Sequence, residues 1–156
     1  NIIENSLKIN LKNKNVLDLF AGSGSLGLEA ISRGAKNCIF IDKSIKAVEA
    51  IEENISFLKL NSYCDCYKLD VNKITKFTNN PNKKIDIIFS DPPYSKIDIN
   101  EIAINNLIKK NWMKDSVYIF LETSSRIPIS SISGFDVLEK RKIGDSLLTI
   151  YLSSSY

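Results

Sequence analysis

The stretch Asn15-Val16-Leu17-Asp18-Leu19-Phe20-Ala21-Gly22-Ser23-Gly24-Ser25-Leu26-Gly27 decides the fold. Asn15 to Phe20 is a mainly apolar run and reads as a buried strand. Gly22 and Gly24 follow at once, and they permit a tight turn with close approach of the backbone to a ligand. From Ser25 to Arg33 the pattern becomes helical, and Gly34 ends it. A buried strand, a glycine-rich loop and a helix, in that order, read as a cradle for a nucleotide-like cofactor; the plainer reading is a tight strand-to-helix turn with no ligand.

The same alternation continues along the chain. Cys38-Ile39-Phe40-Ile41-Asp42 is a second apolar run. Ser44 is placed to cap a helix on which Ile45, Val48, Ile51, Ile55 and Leu58 recur at helical spacing. Tyr63 to Leu69 is a third strand, followed by a short helix expected near Asn72 to Phe77. The polar turn Asn79 to Lys84 leads into a fourth strand, Ile85 to Ser90. Asn100 to Lys110 fits a helix with Ala103, Ile104, Leu107 and Ile108 on one face, and Ser116 to Glu122 is the fifth strand. Phe135 to Lys142 and Ser146 to Leu152 then read as strands joined by the hairpin signal Gly144-Asp145. Strands separated by helices imply a parallel sheet with right-handed crossovers, and the terminal hairpin adds an antiparallel part at one edge.

The 156 residues, 44% of them apolar, are enough for one domain with a real core, expected to span 1–156. No apolar run approaches the roughly 18 residues of a membrane span, and the start, Asn1-Ile2-Ile3-Glu4-Asn5, lacks the pattern of a signal peptide. The expected location is therefore cytoplasmic, with no membrane partner. The net charge of +3, from 21 basic and 18 acidic residues, neither requires nor excludes a nucleic-acid partner. Cys38, Cys64 and Cys66 are odd in number and read as reduced, strand-buried thiols. There is no histidine, which excludes Ser-His and Cys-His nucleophilic systems and most zinc sites. No metal is expected. The chemistry is left to carboxylates, backbone carbonyls, hydroxyls and a cofactor.

Three carboxylates in or just after the first three strands stand out. Asp18 precedes the glycine loop. Gly22 to Gly27 formally matches the dinucleotide pattern G-x-G-x-x-G, but an acid before the loop suits a cationic amino group better than a phosphate. Asp42 closes the second run 18 residues beyond Gly24, where a carboxylate can accept both ribose hydroxyls of an adenosine; its plainer role is at the N-terminus of the next helix. Asp70 ends the third strand and is a candidate acceptor for an adenine amino group, or a solvated loop acid.

Asp91-Pro92-Pro93-Tyr94, directly after Ile87-Ile88-Phe89, is the sharpest signal. The two prolines fix the backbone and remove two N–H donors, leaving carbonyls to face a pocket. An aromatic amine is a weak nucleophile because its lone pair is delocalised into the ring. Hydrogen bonds from its N–H groups to the Asp91 carboxylate and the Pro92 carbonyl localise that pair, and Tyr94 can stack on the base. A cofactor loop combined with such a clamp points to methyl transfer from S-adenosylmethionine to an amino nitrogen. Trp112 reads as packing, and Lys140-Arg141-Lys142 as a solvated strand end or a phosphate contact.

The chain resembles the class I, Rossmann-like S-adenosylmethionine-dependent methyltransferases. More narrowly, it resembles the bacterial RsmD-type family, which methylates the guanine N2 amine in small-subunit (16S) ribosomal RNA. The residues that carry this are Asp18 to Ala30, then Ser32-Arg33-Gly34-Ala35, then Asp91-Pro92-Pro93-Tyr94, with Glu122 and the final hairpin. The clamp alone is shared with DNA adenine and protein glutamine methyltransferases, and an inactive RNA-binding relative is a further alternative. The resemblance implies an α/β fold with a seven-stranded, mostly parallel sheet of order 3-2-1-4-5-7-6 and a C-terminal antiparallel hairpin. It implies that Asp18, Ala21, Gly22 and Gly24 shape the methionine end of the cofactor site, Asp42 the ribose site, and Leu69, Asp70 and Val71 the adenine site. Asp91, Pro92 and Tyr94 would hold the amine for a direct, in-line transfer. The implied partner is ribosomal RNA or an assembling small ribosomal subunit. Family members begin with a basic RNA-gripping extension and a helix, of which Ile2 to Leu7 would be only the end.

Overall fold

The computed structural model describes residues 9–77, 80–92, 99–126 and 131–154. Among the described residues, seven strands form one sheet: β1 (Asn15–Leu19), β2 (Asn37–Asp42), β3 (Cys64–Lys68), β4 (Ile85–Ser90), β5 (Met113–Ser124), β6 (Phe135–Ile143) and β7 (Ser146–Ser153). The helices that connect them are α1 (Ser25–Ser32), α2 (Ile45–Phe57) and α3 (Ile99–Lys109). The strand order is β3-β2-β1-β4-β5-β7-β6, as the resemblance implies. β1 to β5 pair in parallel; β7 lies antiparallel between β5 and β6, so the outermost strand is β6. None of the described helices is long and apolar enough to cross a membrane.

Strand periodicity divides the core into two layers. Leu17, Leu19, Ile39, Ile41, Ile88, Ile119 and Leu121 face Ala103, Ile104 and Leu107 of α3. Val16, Cys38, Phe40, Ile87, Phe89 and Phe120 face Ala30 of α1 with Ile51 and Ile55 of α2. Covered on both sides, the central strands can be apolar at every position, and all five residues of β1 are buried.

Gly27 fixes how closely α1 lies on the sheet. A Cβ there would meet the Phe40 ring at 2.3 Å and the Cys38 sulfur at 2.6 Å. Phe40 is fully buried and has no room to retreat. Gly27→Ala is therefore expected to destabilise the protein by about 1–3 kcal/mol, the range for overpacking a dense core. A chemical-denaturation midpoint equal to wild type would show that this close approach is not obligatory.

The far end of the sheet is held by a polar cluster. The Asn15 amide donates to Asp86 at 2.8 Å, and Lys114 pairs with the same carboxylate at 2.9 Å. The Asn15 side-chain amide donates to the carbonyls of Asn82 and Lys84. These bonds fix the register of β1, β4 and β5 at their starts.

Most boundaries fall within a residue or two of the sequence reading; two elements differ more. The helix expected near Asn72 to Phe77 is a single 3₁₀ turn, Val71–Lys73. Asp70 caps it, and the backbone returns to an extended conformation at Ile74. β5 begins at Met113, three residues earlier than its apolar pattern, because Met113 pairs with Ile85 of β4; the register then shifts, and pairing resumes at Tyr118 opposite Ile87. Trp112 is core, as expected: it is buried, stacks on Phe77 with ring centroids 4.5 Å apart, and donates Nε1–H to the Thr75 carbonyl. All three cysteines are free; Cys38 and Cys64 are buried and Cys66 half-buried.

Candidate active site

The strand order reverses at β1, which lies between β2 and β4. Crossovers leave in opposite directions there, and a crevice opens beyond the carboxyl ends of the strands. A cleft of about 620 Å³ occupies this place. It brings together Asp18, Ala21, Gly22, Asp42, Leu69, Asp70, Val71, Asp91 and Pro92, candidate site residues that come from four separate strand ends. Gly24 lies behind the loop, where an added Cβ would stand 3.1 Å from Ile51. Tyr94 lies outside the described residues.

The loop turns through left-handed backbone. Phe20, Gly22 and Gly24 have φ of 53°, 57° and 78°. For glycine this costs little; for Phe20 it is a strained conformation that the surrounding bonds must hold. Those bonds are present: the Ala21 amide donates to the Ile41 carbonyl at 3.0 Å, and the Gly24 amide to the Ala21 carbonyl at 2.8 Å. The Phe20 conformation has no signal in sequence, because an aromatic residue at the end of an apolar run reads as strand.

Asp42 joins the loop to α2. One carboxylate oxygen accepts from the Gly22 amide at 3.0 Å and the other from the Ser44 amide at 2.8 Å. A place beside the cofactor loop and a place at the helix start therefore meet in one side chain. Each oxygen uses one of its lone pairs inward and retains another for a ligand hydroxyl.

Asp18 forms the floor. It is 2% exposed, and one oxygen accepts from the Gly27 amide at 3.1 Å. Burial, opposed by that bond and reinforced by the charges of Asp91 and Asp42, pushes its carboxyl up to about 8. Asp70 is in the opposite situation. The Asn72 amide donates to it at 2.9 Å and holds its carboxyl below the usual range, so it is ionised at neutral pH.

Asp91 and Pro92 continue from β4, and Asp91 stands exposed at the rim. Desolvation by its surroundings and then the charge of Glu122 raise Asp91 to about 6, with water screening part of the effect at the rim. Register explains the neighbour. Ser90 pairs with Leu121, so Asp91 and Glu122 are the next residues along adjacent strands. Register therefore sets Glu122 beside Asp91 without making it part of the cleft lining, a relation that sequence alone could not supply. The Lys140 to Lys142 run lies on the outer strand β6, where Arg141 pairs with Glu139 at 2.7 Å.

The donor set suits S-adenosylmethionine. Four carboxylates converge on the cleft, and among the described residues Lys43 is the one basic side chain lining it. Such walls favour a cationic ligand rich in hydroxyl and amino donors over a phosphate.

A family model described as conserved hypothetical protein 95 matches residues 1–152. The ribosomal RNA small subunit methyltransferase D of Haemophilus influenzae is 32% identical over an alignment of 132 residues, covering 82% of this chain and 66% of that protein. The protein of the same name from Buchnera aphidicola subsp. Acyrthosiphon pisum is 32% identical over 145 residues, covering 93% of this chain and 74% of that one. A solved structure of a conserved hypothetical protein from Streptococcus pyogenes superposes with a TM-score of 0.76 at 29% identity, covering 92% of this chain and 88% of the other.

Proposed function

Since the chain belongs to the family described as conserved hypothetical protein 95, whose fold is that of the class I methyltransferases, we propose that it methylates the N2 amine of a guanine in small-subunit ribosomal RNA, using S-adenosylmethionine. The observation that carries this is the meeting of an acid-lined cofactor cleft with the Asp91-Pro92 end of β4 at the reversal of strand order. The names of the Haemophilus and Buchnera relatives support the choice of RNA. The proposed setting is cytoplasmic, with one domain over residues 1–156 and ribosomal RNA or an assembling small subunit as partner.

When bound, S-adenosylmethionine supplies a methyl group made electrophilic by its sulfonium. The chain has only to bind, orient and polarise. Asp18 holds the cationic amino group, with Ala21, Gly22 and Gly24 shaping the space around it. Asp42 accepts from the ribose hydroxyls; Leu69 and Val71 enclose the adenine and Asp70 accepts from its amino group. Asp91 and the Pro92 carbonyl accept the two N–H bonds of the target amine and localise its lone pair, while Tyr94 stacks on the base. No side chain forms a covalent intermediate. Asp91 acts by position and charge.

The deciding experiment offers labelled S-adenosylmethionine with ribosomal RNA, assembling subunits, duplex DNA and release-factor protein in parallel, then digests the products to nucleosides or amino acids. N2-methylguanine in RNA is the expected product. N6-methyladenine or methylglutamine would overturn the guanine assignment and keep the clamp chemistry; no transfer to any substrate would remove the enzyme reading. Asp42→Ala is expected to weaken binding of S-adenosylhomocysteine by about 1–3 kcal/mol, the scale for losing a charged hydrogen-bond partner. Calorimetry giving an unchanged affinity would take Asp42 out of the ribose site.

A further inference from the structure

One buried polar pair stands just outside the chemistry described above. Ser90, 1% exposed, donates its Oγ–H to Oδ1 of Asn100, 3% exposed, at 2.6 Å. Among the described residues their buried neighbours on the sheet and along the helix are apolar. Across the sheet Ser90 lies between Leu19 and Leu121, and along α3 the other buried residues are Ala103, Ile104 and Leu107. A hydroxyl and an amide in such a place add little to stability, because an apolar pair of similar shape would serve as well. Removing one partner alone leaves a costly unpaired group. What a buried polar pair can supply beyond stability is a single geometry.

Its location says which geometry. Ser90 is the last residue of β4 and Asn100 lies in the first turn of α3, so the bond ties the two ends of the segment that begins with Asp91-Pro92. Side chains alternate along a strand. Phe89 faces the α1 layer and Ser90 the α3 layer, which turns Asp91 back toward the side of Asp18 and Glu122. Rotation of the strand end would carry Asp91 away from both.

We propose that Ser90 and Asn100 are a positioning pair for the amine clamp: their bond fixes the rotation of the β4 end and so aims the Asp91 carboxylate. This rests on the methyltransferase function proposed above. Neither residue touches cofactor or substrate; both act through Asp91.

The test is a double-mutant cycle of Ser90→Ala, Asn100→Leu and the two combined, followed in thermal stability, affinity for S-adenosylhomocysteine, methyl-transfer turnover and carboxyl-carbon NMR titration of Asp91. Each single variant should lose stability, and the combination should regain it. Turnover should stay about 10–100-fold low in all three, the scale for a reacting group misplaced by about an ångström. Cofactor affinity should hold within about threefold, and the raised titration of Asp91 should fall back toward that of an ordinary carboxylate. Ser90→Thr, which keeps the hydroxyl, should behave like wild type in turnover and titration, and it decides against Ser90→Ala if the double variant does not fold. Turnover that recovers together with stability, with Asp91 titrating as in wild type, would reduce the pair to a packing feature. If wild-type protein transfers no methyl group, the proposed function fails, while the Asp91 titration still decides what the pair does.

Discussion

Asp91→Ala is expected to lower methyl-transfer turnover by about 10²–10³-fold, the scale for losing one preorganised acceptor at a reacting group. Its affinity for S-adenosylhomocysteine should stay within about twofold of wild type. The separation follows from position: Asp91 lines the cleft at its exposed rim, just past the end of β4, which in the proposed arrangement is where the amine is held. The ionised carboxylate is the form that accepts two N–H bonds. Because desolvation and Glu122 raise this group to about 6, turnover should fall as pH drops through that value. Glu122→Gln removes the second of those causes and should move the acidic limb to lower pH. A variant Asp91→Ala with near-wild-type turnover would show that the clamp does not polarise the amine. An acidic limb unmoved in Glu122→Gln would show that the two carboxylates are not coupled during turnover.

Much of this site is legible in the sequence because its carriers are punctuation. Glycines at 22 and 24, an acid just before the glycine loop, acids closing the second and third strands, and a double proline after the fourth are local signals, and topology brings the acids, Gly22 and Pro92 to one cleft. The succession of strands and helices along the chain is legible for the same reason, since periodicity is a property of neighbours in sequence; the lateral order of the strands is what the family resemblance implies. What escapes depends on distant partners. Asn15, Asp86 and Lys114 look like ordinary polar residues until register places them together. The Ser90–Asn100 bond and the Asp91–Glu122 coupling each join two elements that are separate in the chain. β5 begins earlier than its pattern because Met113 finds its partner in Ile85 of β4, beyond a polar interruption where the register shifts. The expected helix after Asp70 starts with the cap that its sequence suggests but stops after one turn, because the backbone becomes extended at Ile74.

Asp18→Asn is expected to stabilise the free protein at neutral and alkaline pH while weakening its hold on the cofactor. Asp18 is 2% exposed and its carboxyl is raised from 3.8 to about 8, first by burial and then by the charges of Asp91 and Asp42. The sign follows from proton counting. Below about pH 4 both folded and unfolded chains carry the proton, and the group has no effect. Between about pH 4 and pH 8 the unfolded chain has lost it and the folded chain keeps it, so stability declines as pH rises. Above about pH 8 the folded chain bears a buried charge, and the penalty is complete, on the order of a few kcal/mol. Asparagine keeps an oxygen to accept from the Gly27 amide at the same position and carries no such charge. Urea midpoints against pH should therefore slope downward for wild type and be flatter for the variant, with the gap widening up to about pH 8. The same balance reverses when a cation arrives. An amino group beside Asp18 favours the ionised carboxyl, so cofactor binding at pH 7 should release a proton that calorimetry detects as a dependence on buffer ionisation heat. The variant should bind more weakly and release none. Equal pH slopes in the two proteins would show that Asp18 is ionised throughout, and binding heats independent of buffer would place the cationic group elsewhere in the cleft.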